Sequence, residues 1–214
     1  MSEISKLYEA IVSGDAKAAV ALTKQALSEN TDPMELVTRY MIPAMDEVGR
    51  RFECEEYFVP ELLLSARAMK GAMELIRPLL AARGAEPLGR VVIGTVKGDL
   101  HDIGKNLVAS MLEGGGFEVI DLGADVPPEK FVEAAAQRQA DIVAMSALLT
   151  VTMPAMKTTI EALEAAGLRG RVKVMVGGAP LTQRYAEEIG ADAYGENASV
   201  AVTLARRLVG ARAA

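Results

Sequence analysis

The sequence lacks tryptophan, has one cysteine and one histidine, and is poor in aromatic residues, which make up 4% of its 214 residues. The single cysteine, Cys54, excludes a disulfide within the chain and any metal site built from several cysteines. Because aromatic side chains are scarce, alanine, valine, leucine and methionine must fill the core. With half of all residues hydrophobic, the supply is ample for a well-buried interior.

The sequence also lacks an excess of positive charge. Its formal net charge is −6, shared evenly between its two halves, and it has no basic arm. This argues against nucleic acid as a partner. No apolar run approaches the length needed to span a membrane, and no signal peptide is recognisable at the N-terminus. We therefore expect a soluble cytoplasmic protein that does not bind membranes.

The first 83 residues contain helix signals and no convincing strand. We predict a short helix before Gly14, a second capped by Asp15, a third that begins at Pro33, and a long fourth that opens at Pro60. An acidic stretch over 52–58 separates the third helix from the fourth. Four helices with short connections indicate a small helical bundle.

Residues 83–89 form the only linker-like stretch, and beyond it strands and helices alternate. We therefore predict two domains, 1–85 and 86–214. The strands of the second domain are apolar throughout, which is typical of a parallel sheet covered on both faces. The prediction is a doubly wound α/β domain with strands at 90–96, 118–121, 142–146, 172–176 and 191–194 and helices at 103–113, 128–138, 153–167, 181–189 and 197–208.

Polar or glycine-rich loops follow four of these strands, and such loops meet at the ligand-binding edge of a parallel sheet. The first contains Asp99, His101 and Gly104, in which a carboxylate can fix the ring tautomer of a histidine. The others are the hydroxyl-bearing stretch 146–152, the turn at 177–180 and the segment 194–198. Each alone is a weak signal, but four at one edge indicate a binding site.

Three of these segments resemble the cobalamin-binding signature of corrinoid proteins: Asp99-x-His101-x-x-Gly104, Ser146-x-Leu148 and Gly177-Gly178. In the first 83 residues, the stretches 48–52, 57–62 and 66–69 resemble the helical cap that precedes this domain in cobalamin-dependent methionine synthase. The same cap occurs in the small corrinoid proteins of methylamine, methanol and aryl-ether methyltransferase systems. The resemblance covers nearly the whole chain.

The resemblance implies that His101 binds the cobalt of a cobalamin from below, with Asp99 holding its other ring nitrogen and Ser146 hydrogen-bonded to Asp99. It implies that Gly104, Gly177 and Gly178 leave room for the nucleotide tail. Hydroxyls of Thr150 and Thr152 would contact the tail, although Thr152 could equally cap the following helix. Other expected cofactor-binding residues are Leu148, Tyr194, Gly195, Glu196 and Asn197.

Four residues of the helical part match positions that cover the upper face of the corrin in methionine synthase: Phe52, Phe58, Val59 and Leu62. An apolar lid would protect a light-sensitive methyl–cobalt bond and an easily oxidised Co(I) centre. The alternative is that these side chains belong to the core of the bundle, and for Val59 and Leu62 the two interpretations are evenly balanced.

The resemblance thus implies a non-catalytic methyl carrier that binds methylcobalamin, cob(I)alamin or a related corrinoid. Its expected partners are a substrate-specific methyltransferase, a second methyltransferase that accepts the methyl group, and a reductive activase. Two other functions fit the motifs. A cobalamin-sensing regulator would need a DNA-binding module ahead of the cap, and a small subunit of an adenosylcobalamin-dependent mutase usually lacks the cap. The sequence does not identify the methyl donor.

Overall fold

The computed structural model describes residues 5–84 and 86–210, which form two compact units. The first unit comprises Met1–Pro87 and Glu113–Gly116, and the second comprises Leu88–Leu112 and Phe117–Ala214. The division after Pro87 lies close to the boundary predicted at residue 85.

The first unit is helical, as predicted. Both acidic caps expected from the sequence form: the side chain of Asp15 accepts a hydrogen bond from the backbone N–H of Ala18, and that of Asp32 accepts one from Met34. These bonds satisfy donors that the first turn of a helix leaves unpaired. The helices are α1 (Ser5–Val12), α2 (Ala16–Ser28), α3 (Pro33–Leu36), a π-helical segment (Val37–Met41), α4 (Ile42–Glu53) and α5 (Val59–Ala82).

The π-helical segment lies inside what the sequence predicted as one regular third helix. Pro43, in the first turn of α4, has no backbone N–H, so it cannot donate to the carbonyl of Arg39. The preceding residues adopt wider hydrogen bonding, and the N–H of Ile42 reaches the carbonyl of Val37, five residues back. The proline therefore explains why the regular pattern is interrupted here.

Helix α5 contributes a continuous buried stripe to the bundle. Leu62, Ala66, Met69, Met73 and Ile76 recur every three or four residues and are all buried. This spacing places them on one face of the helix. The helix therefore presents that face to the core, whereas Leu63, Leu64 and Leu79 are exposed.

The loop between α4 and α5 is held by a charged network around Arg51. Glu47 accepts hydrogen bonds from Arg51 at 2.7 Å and from Arg50 at 2.8 and 2.9 Å. Arg51 also donates to the Tyr57 hydroxyl at 3.0 Å, and that hydroxyl donates to the carbonyl of Val12 at 3.1 Å. The network thus joins the loop to the end of α1.

The second unit has the predicted alternation of strands and helices. Its elements are β1 (Arg90–Thr95), α6 (Ile103–Gly114), β2 (Glu118–Asp121), α7 (Pro128–Gln137), β3 (Ile142–Ser146), α8 (Pro154–Ala165), β4 (Lys173–Gly177), α9 (Gln183–Glu188), β5 (Ala193–Gly195) and α10 (Ala198–Val209). All neighbouring strands are parallel, and their order is β2-β1-β3-β4-β5. The predicted doubly wound, five-stranded parallel sheet is confirmed.

This strand order determines where the loops meet. After β1 the chain continues to β2, on one side of β1 in the strand order, whereas after β3 it continues to β4, in the opposite direction. Such a switch point opens a crevice at the carboxyl edge of the sheet. The register pairs Thr95 with Ser146, Ser146 with Gly177, and Gly177 with Gly195. The four predicted site loops therefore start from one row across the sheet.

The sheet itself is buried among the helices of its unit. Val92 and Val143 in the central strands and Phe131 in α7 belong to one apolar core, together with Leu163 of α8. Buried strands without alternation match the apolar runs seen in the sequence. Among the described residues, no helix is both long and apolar enough to cross a membrane.

We expect the Glu47 network to make stability depend on pH in acid. Hydrogen bonds from Arg50 and Arg51 lower the pKa of Glu47 from 4.5 to about 2. A carboxyl whose pKa is lowered in the folded state stabilises the fold fully at pH values above its unfolded-state pKa. This contribution is lost as the pH falls through the folded-state pKa. Glu47→Gln should therefore flatten the decline of the melting temperature between about pH 4.5 and about pH 2.

The measurement is thermal unfolding followed by circular dichroism across that range. Glu9→Gln, which removes an exposed carboxyl from α1, is the control. A Glu47→Gln profile parallel to those of the wild type and this control would contradict the assignment.

Candidate cofactor site

The loop between β1 and α6 places His101 beside a buried carboxylate. One oxygen of Asp99, Oδ1, accepts the backbone N–H of His101 at 3.1 Å and lies 2.8 Å from the ring nitrogen Nδ1. Asp99 is completely buried, whereas half of the His101 side chain is exposed. The two-residue spacing seen in the sequence therefore produces the expected pair.

The second carboxylate oxygen of Asp99, Oδ2, is bound by the loop that follows β3. It accepts the backbone N–H groups of Leu148 at 2.8 Å and Leu149 at 3.2 Å, and the hydroxyl of Thr152 at 2.7 Å. The sequence had predicted Ser146 as the hydroxyl partner, and this was wrong. Ser146 is the last residue of β3, and the loop beyond it brings Thr152 to the carboxylate instead.

These hydrogen bonds keep Asp99 ionised. Burial by itself would raise the pKa of Asp99, but the bonds from Thr152, Leu148 and His101 outweigh it and hold the pKa well below its ordinary value. An ionised carboxylate has no proton to donate, so Nδ1 of His101 must be the donor between them. Neutral His101 therefore has its lone pair on Nε2, which makes Nε2 the ring atom available to a metal.

Thr152 does not cap the helix that follows it. Helix α8 begins at Pro154, its N-cap is Met153, and no side chain of the cap accepts a hydrogen bond. The Thr152 hydroxyl lies within hydrogen-bond distance of the Leu149 carbonyl, at 2.8 Å, as well as of Asp99. The hydroxyl has one proton to donate, and the charged carboxylate oxygen of Asp99 is a stronger acceptor than the carbonyl of Leu149. Thr152 is buried, so its predicted contact with a nucleotide tail would require the ligand to reach beneath the loop surface.

Large apolar side chains are exposed in the two loops that meet at Asp99. Leu100, Ile103 and Val151 are 75%, 80% and 81% exposed, and Leu148 and Leu149 in the same loop as Val151 are also exposed. A cluster of exposed apolar residues marks a binding surface. Of these five, the sequence-based prediction included only Leu148. The available signal was the presence of leucine, isoleucine and valine among the acids and glycine of the loop after β1 and among the threonines of the loop after β3.

Among the described residues, no group of three histidine, cysteine or acidic side chains is placed to hold a metal ion. His101 can therefore supply one ligand, and a metal bound there must bring its remaining ligands with it. A metal held in a flat, largely apolar macrocycle meets this requirement, because the ring would cover the exposed side chains around His101. The residues present thus fit a corrinoid.

The glycines of the site have two different explanations. At Gly104, a Cβ atom would meet no atom within 4 Å, so this position leaves open space next to His101. At Gly178, whose φ is +137°, a Cβ would lie 1.9 Å from the carbonyl oxygen of Ala147, and at Gly177 it would lie 2.9 Å from that of Gly195. Packing of the chain against itself, rather than room for a ligand, explains the glycines at 177 and 178.

The segment after β5 lies at the same edge of the sheet. Gly195 ends the strand, Tyr194 is half-buried, and Glu196 is exposed. The side chain of Asn197 caps α10 by accepting the N–H of Val200 at 2.9 Å, so its oxygen is already used. Thr150, in the loop after β3, is exposed and available.

In the helical unit, the four predicted lid residues differ in exposure. Phe58 is 62% exposed and Val59 is 40% exposed, and Phe52 is half-buried. Leu62 is completely buried as part of the stripe along α5, so it has no surface to offer a ligand and its prediction as a lid residue is corrected. Leu63, the next residue, is 46% exposed.

Comparison with known proteins identifies the family. A B12 binding domain family matches residues 89–203, which is more than half of the chain. The chain is a B12-binding protein. A second B12 binding domain family matches residues 3–77, the helical part. Both units of this B12-binding protein therefore have counterparts in that group.

Relatives of this B12-binding protein match it over nearly its full length. Trimethylamine corrinoid protein 1 of Methanosarcina acetivorans is 46% identical over 208 residues, covering 96% of each chain. The crystal structure of the methanol:cobalamin methyltransferase complex of Methanosarcina barkeri superposes with a TM-score of 0.87 at 29% identity, covering 98% of this chain and 81% of that one. A cobalamin-binding protein from Desulfitobacterium hafniense gives a TM-score of 0.80 at 32% identity, with 96% and 98% covered.

The bond from Thr152 to Asp99 should be measurable as stability. Thr152→Val keeps the shape of the side chain but removes the hydroxyl, and hydrogen bonds to charged groups contribute about 1.5–3 kcal/mol. We expect a loss of this order in the free energy of unfolding of the cofactor-free protein, measured by urea denaturation at neutral pH. Thr152→Ser, which keeps the hydroxyl, is the matched control and should lose less. A Thr152→Val variant as stable as the wild type, or one destabilised less than Thr152→Ser, would contradict a stabilising role of the hydroxyl.

Proposed function

We propose that this protein is a methyl carrier that binds a corrinoid at the carboxyl edge of its sheet. The observation that supports this most directly is His101. Its Nδ1–H donates a hydrogen bond to an ionised carboxylate, its Nε2 is available, and the two loops at Asp99 carry exposed apolar side chains. When bound, the corrinoid supplies a cobalt centre that accepts and gives up methyl groups.

In this proposal, His101 would hold the cobalt through Nε2, and Asp99 keeps the ring in the tautomer and orientation that this would require. Thr152 and the N–H groups of Leu148 and Leu149 keep Asp99 ionised and fixed. Without the metal, Nε2 could hold a proton instead, because Nδ1 would keep its hydrogen bond to Asp99. The Asp99–His101 pair thus gives the protein a ligand that can bind and be released reversibly.

The other residues of the proposed site divide between the corrin ring and the nucleotide tail. Leu100, Ile103 and Val151 would contact the macrocycle, and Gly104 would leave space beside it. We assign the tail to the loops after β3, β4 and β5, where Ser146, Thr150, Tyr194 and Glu196 offer polar groups. Phe52, Phe58, Val59 and Leu63 are proposed to shield the reactive face of the cofactor.

The proposed partners are a substrate-specific methyltransferase, a second methyltransferase and a reductive activase. Support for the first comes from the structural neighbour, which is a complex named as a methanol:cobalamin methyltransferase. The trimethylamine corrinoid protein matched over 96% of its length supports a carrier rather than a regulator or a mutase subunit. The same relative makes a methylated amine the first donor to test.

The experiment is a donor screen with the holo-protein. The chain is purified with cobalamin, reduced to Co(I) with a chemical reductant, and mixed with a copurifying methyltransferase and trimethylamine, dimethylamine, monomethylamine or methanol. We expect one donor to convert the Co(I) spectrum to that of methylcobalamin. If the protein binds cobalamin but no methyltransferase copurifies and none of these donors methylates it, the carrier proposal is wrong.

Replacing the proposed metal ligand should change the cofactor spectrum. In His101→Ala reconstituted with hydroxocobalamin, we expect a water-ligated, base-off spectrum in place of a histidine-ligated one, because no other described residue offers an imidazole. Asp102→Asn, which alters the adjacent exposed carboxylate, is the control and should leave the spectrum unchanged. Identical spectra for wild type and His101→Ala would show that another group ligates the cobalt.

Removing either aromatic side chain of the proposed lid should expose the bound cofactor. Phe58→Ala and Phe52→Ala are expected to hasten the photolysis of methylcobalamin bound to the protein, because shielding apolar surface is lost. Leu79→Ala removes an exposed leucine elsewhere on α5 and should leave the photolysis rate unchanged. Photolysis at the wild-type rate in both phenylalanine variants would refute the lid assignment.

A further inference from the structure

The segment that follows β2, residues 121–126, did not belong to the predicted site, yet it lies against the His101 loop. Two of its residues have left-handed backbone conformations: Gly123 with φ of +84° and Asp125 with φ of +54°. Glycine adopts this region without penalty, but a residue with a side chain does not. The conformation of Asp125 therefore needs compensating contacts.

Asp125 makes these contacts with the residues on either side of one peptide bond. Its backbone N–H donates to the carbonyl oxygen of Asp99 at 2.9 Å, and its carboxylate oxygen Oδ1 accepts the N–H of Gly98 at 2.7 Å. Gly98 is itself left-handed, with φ of +84°. The two bonds fix the backbone that enters and leaves Asp99.

The segment is anchored at its start as well. The carboxylate of Asp121 lies 2.5 and 2.6 Å from the ammonium of Lys105, which is buried on α6, and it also accepts the N–H of Gly123 at 2.8 Å. Further along the segment, the N–H of Thr95 donates to the carbonyl of Gly123, and the N–H of Val126 donates to the carbonyl of Thr95. Because both ends are tied down, the position of Asp125 is determined.

The geometry of Asp99 leaves little tolerance for movement. Its buried carboxylate accepts hydrogen bonds from its own loop and from the loop after β3. The position of the His101 ring depends on the position of this carboxylate, because Nδ1 is hydrogen-bonded to it. A shift of the backbone at residues 98–99 would lengthen several of these bonds together. We propose that Asp125 is a positioning residue, which orients the Asp99–His101 pair for ligation of the cobalt without touching the cofactor. This inference rests on the proposed corrinoid function.

Three variants separate the two features of Asp125, its left-handed backbone conformation and its acceptor oxygen. Asn tolerates the left-handed region and keeps an acceptor oxygen, Gly tolerates the region but has no acceptor, and Ala has neither advantage. Each is reconstituted with hydroxocobalamin, and the ratio of histidine-ligated to water-ligated cofactor is read from the visible spectrum at neutral pH. Thermal unfolding of the cofactor-free protein is measured alongside.

We expect Asp125→Asn to keep the wild-type ratio. Asp125→Gly should lower it, and Asp125→Ala should lower it most, by about 10-fold or more, as is usual when a group that orients a metal ligand is lost. If Asp125→Ala does not fold, the comparison of Asn with Gly decides. A wild-type ratio in Asp125→Gly would overturn the proposal, even if its melting temperature falls, because the role would then be structural only.

The wild-type spectrum distinguishes this inference from the proposed function. A wild-type protein that binds no cobalamin, or binds it without histidine ligation, contradicts the function itself. Histidine ligation in the wild type that persists unchanged in the Gly and Ala variants contradicts only the role of Asp125.

Discussion

The site depends on a single buried negative charge, the carboxylate of Asp99. Removing a charge from water is costly unless hydrogen bonds replace the lost hydration. Here its two oxygens accept five hydrogen bonds, from two groups of His101, two backbone N–H groups and the Thr152 hydroxyl. Because every one of these donors has to be in place, the carboxylate ties two loops into one arrangement and gives His101 a single orientation.

The order of the strands makes this arrangement available. Strands β1 and β3 are neighbours in the sheet although β2 lies between them in the chain. The loops that follow them therefore emerge side by side, and Asp99 can reach the N–H groups that come after Ser146. The close approach of Gly178 to the carbonyl of Ala147 also brings two site loops together, because it places the loop after β4 against the loop after β3.

In the helical unit, apolar residues of the same type are buried in the core at some positions and exposed at others. The stripe along α5 that includes Leu62 is buried, whereas Val59, the first residue of the helix, and Leu63, which lies off the stripe, are exposed. Phe58 lies just before the helix, at the end of a loop held by Arg51 and Tyr57. The network that stabilises this loop in the fold also fixes the start of α5 and thereby the exposed apolar residues near it.

Much of the fold could be read from local patterns. The Asp15 and Asp32 caps, the buried runs of β1, β3 and β4, and the short spacing of Asp99, His101 and Gly104 are properties of neighbouring residues, and all appear as expected. The π-helical segment was missed, because the apolar spacing of residues 36–48 indicates one regular helix and gives no sign of the wider turn before Pro43. The exposed Leu100, Ile103 and Val151 were missed because apolar residues are ordinarily assigned to the core.

The sequence by itself thus determined the elements, their order, the lone histidine and the carboxylate beside it. The tertiary structure decided which hydroxyl reaches Asp99. Ser146 was the expected partner, but the donor is Thr152, 53 positions from Asp99. It likewise decided that Leu62 is buried while Leu63 is exposed, and that Asp125 contacts the His101 loop. Each of these depends on the path of a loop or the rotation of a helix, which is set by packing between residues distant in sequence rather than by any local pattern.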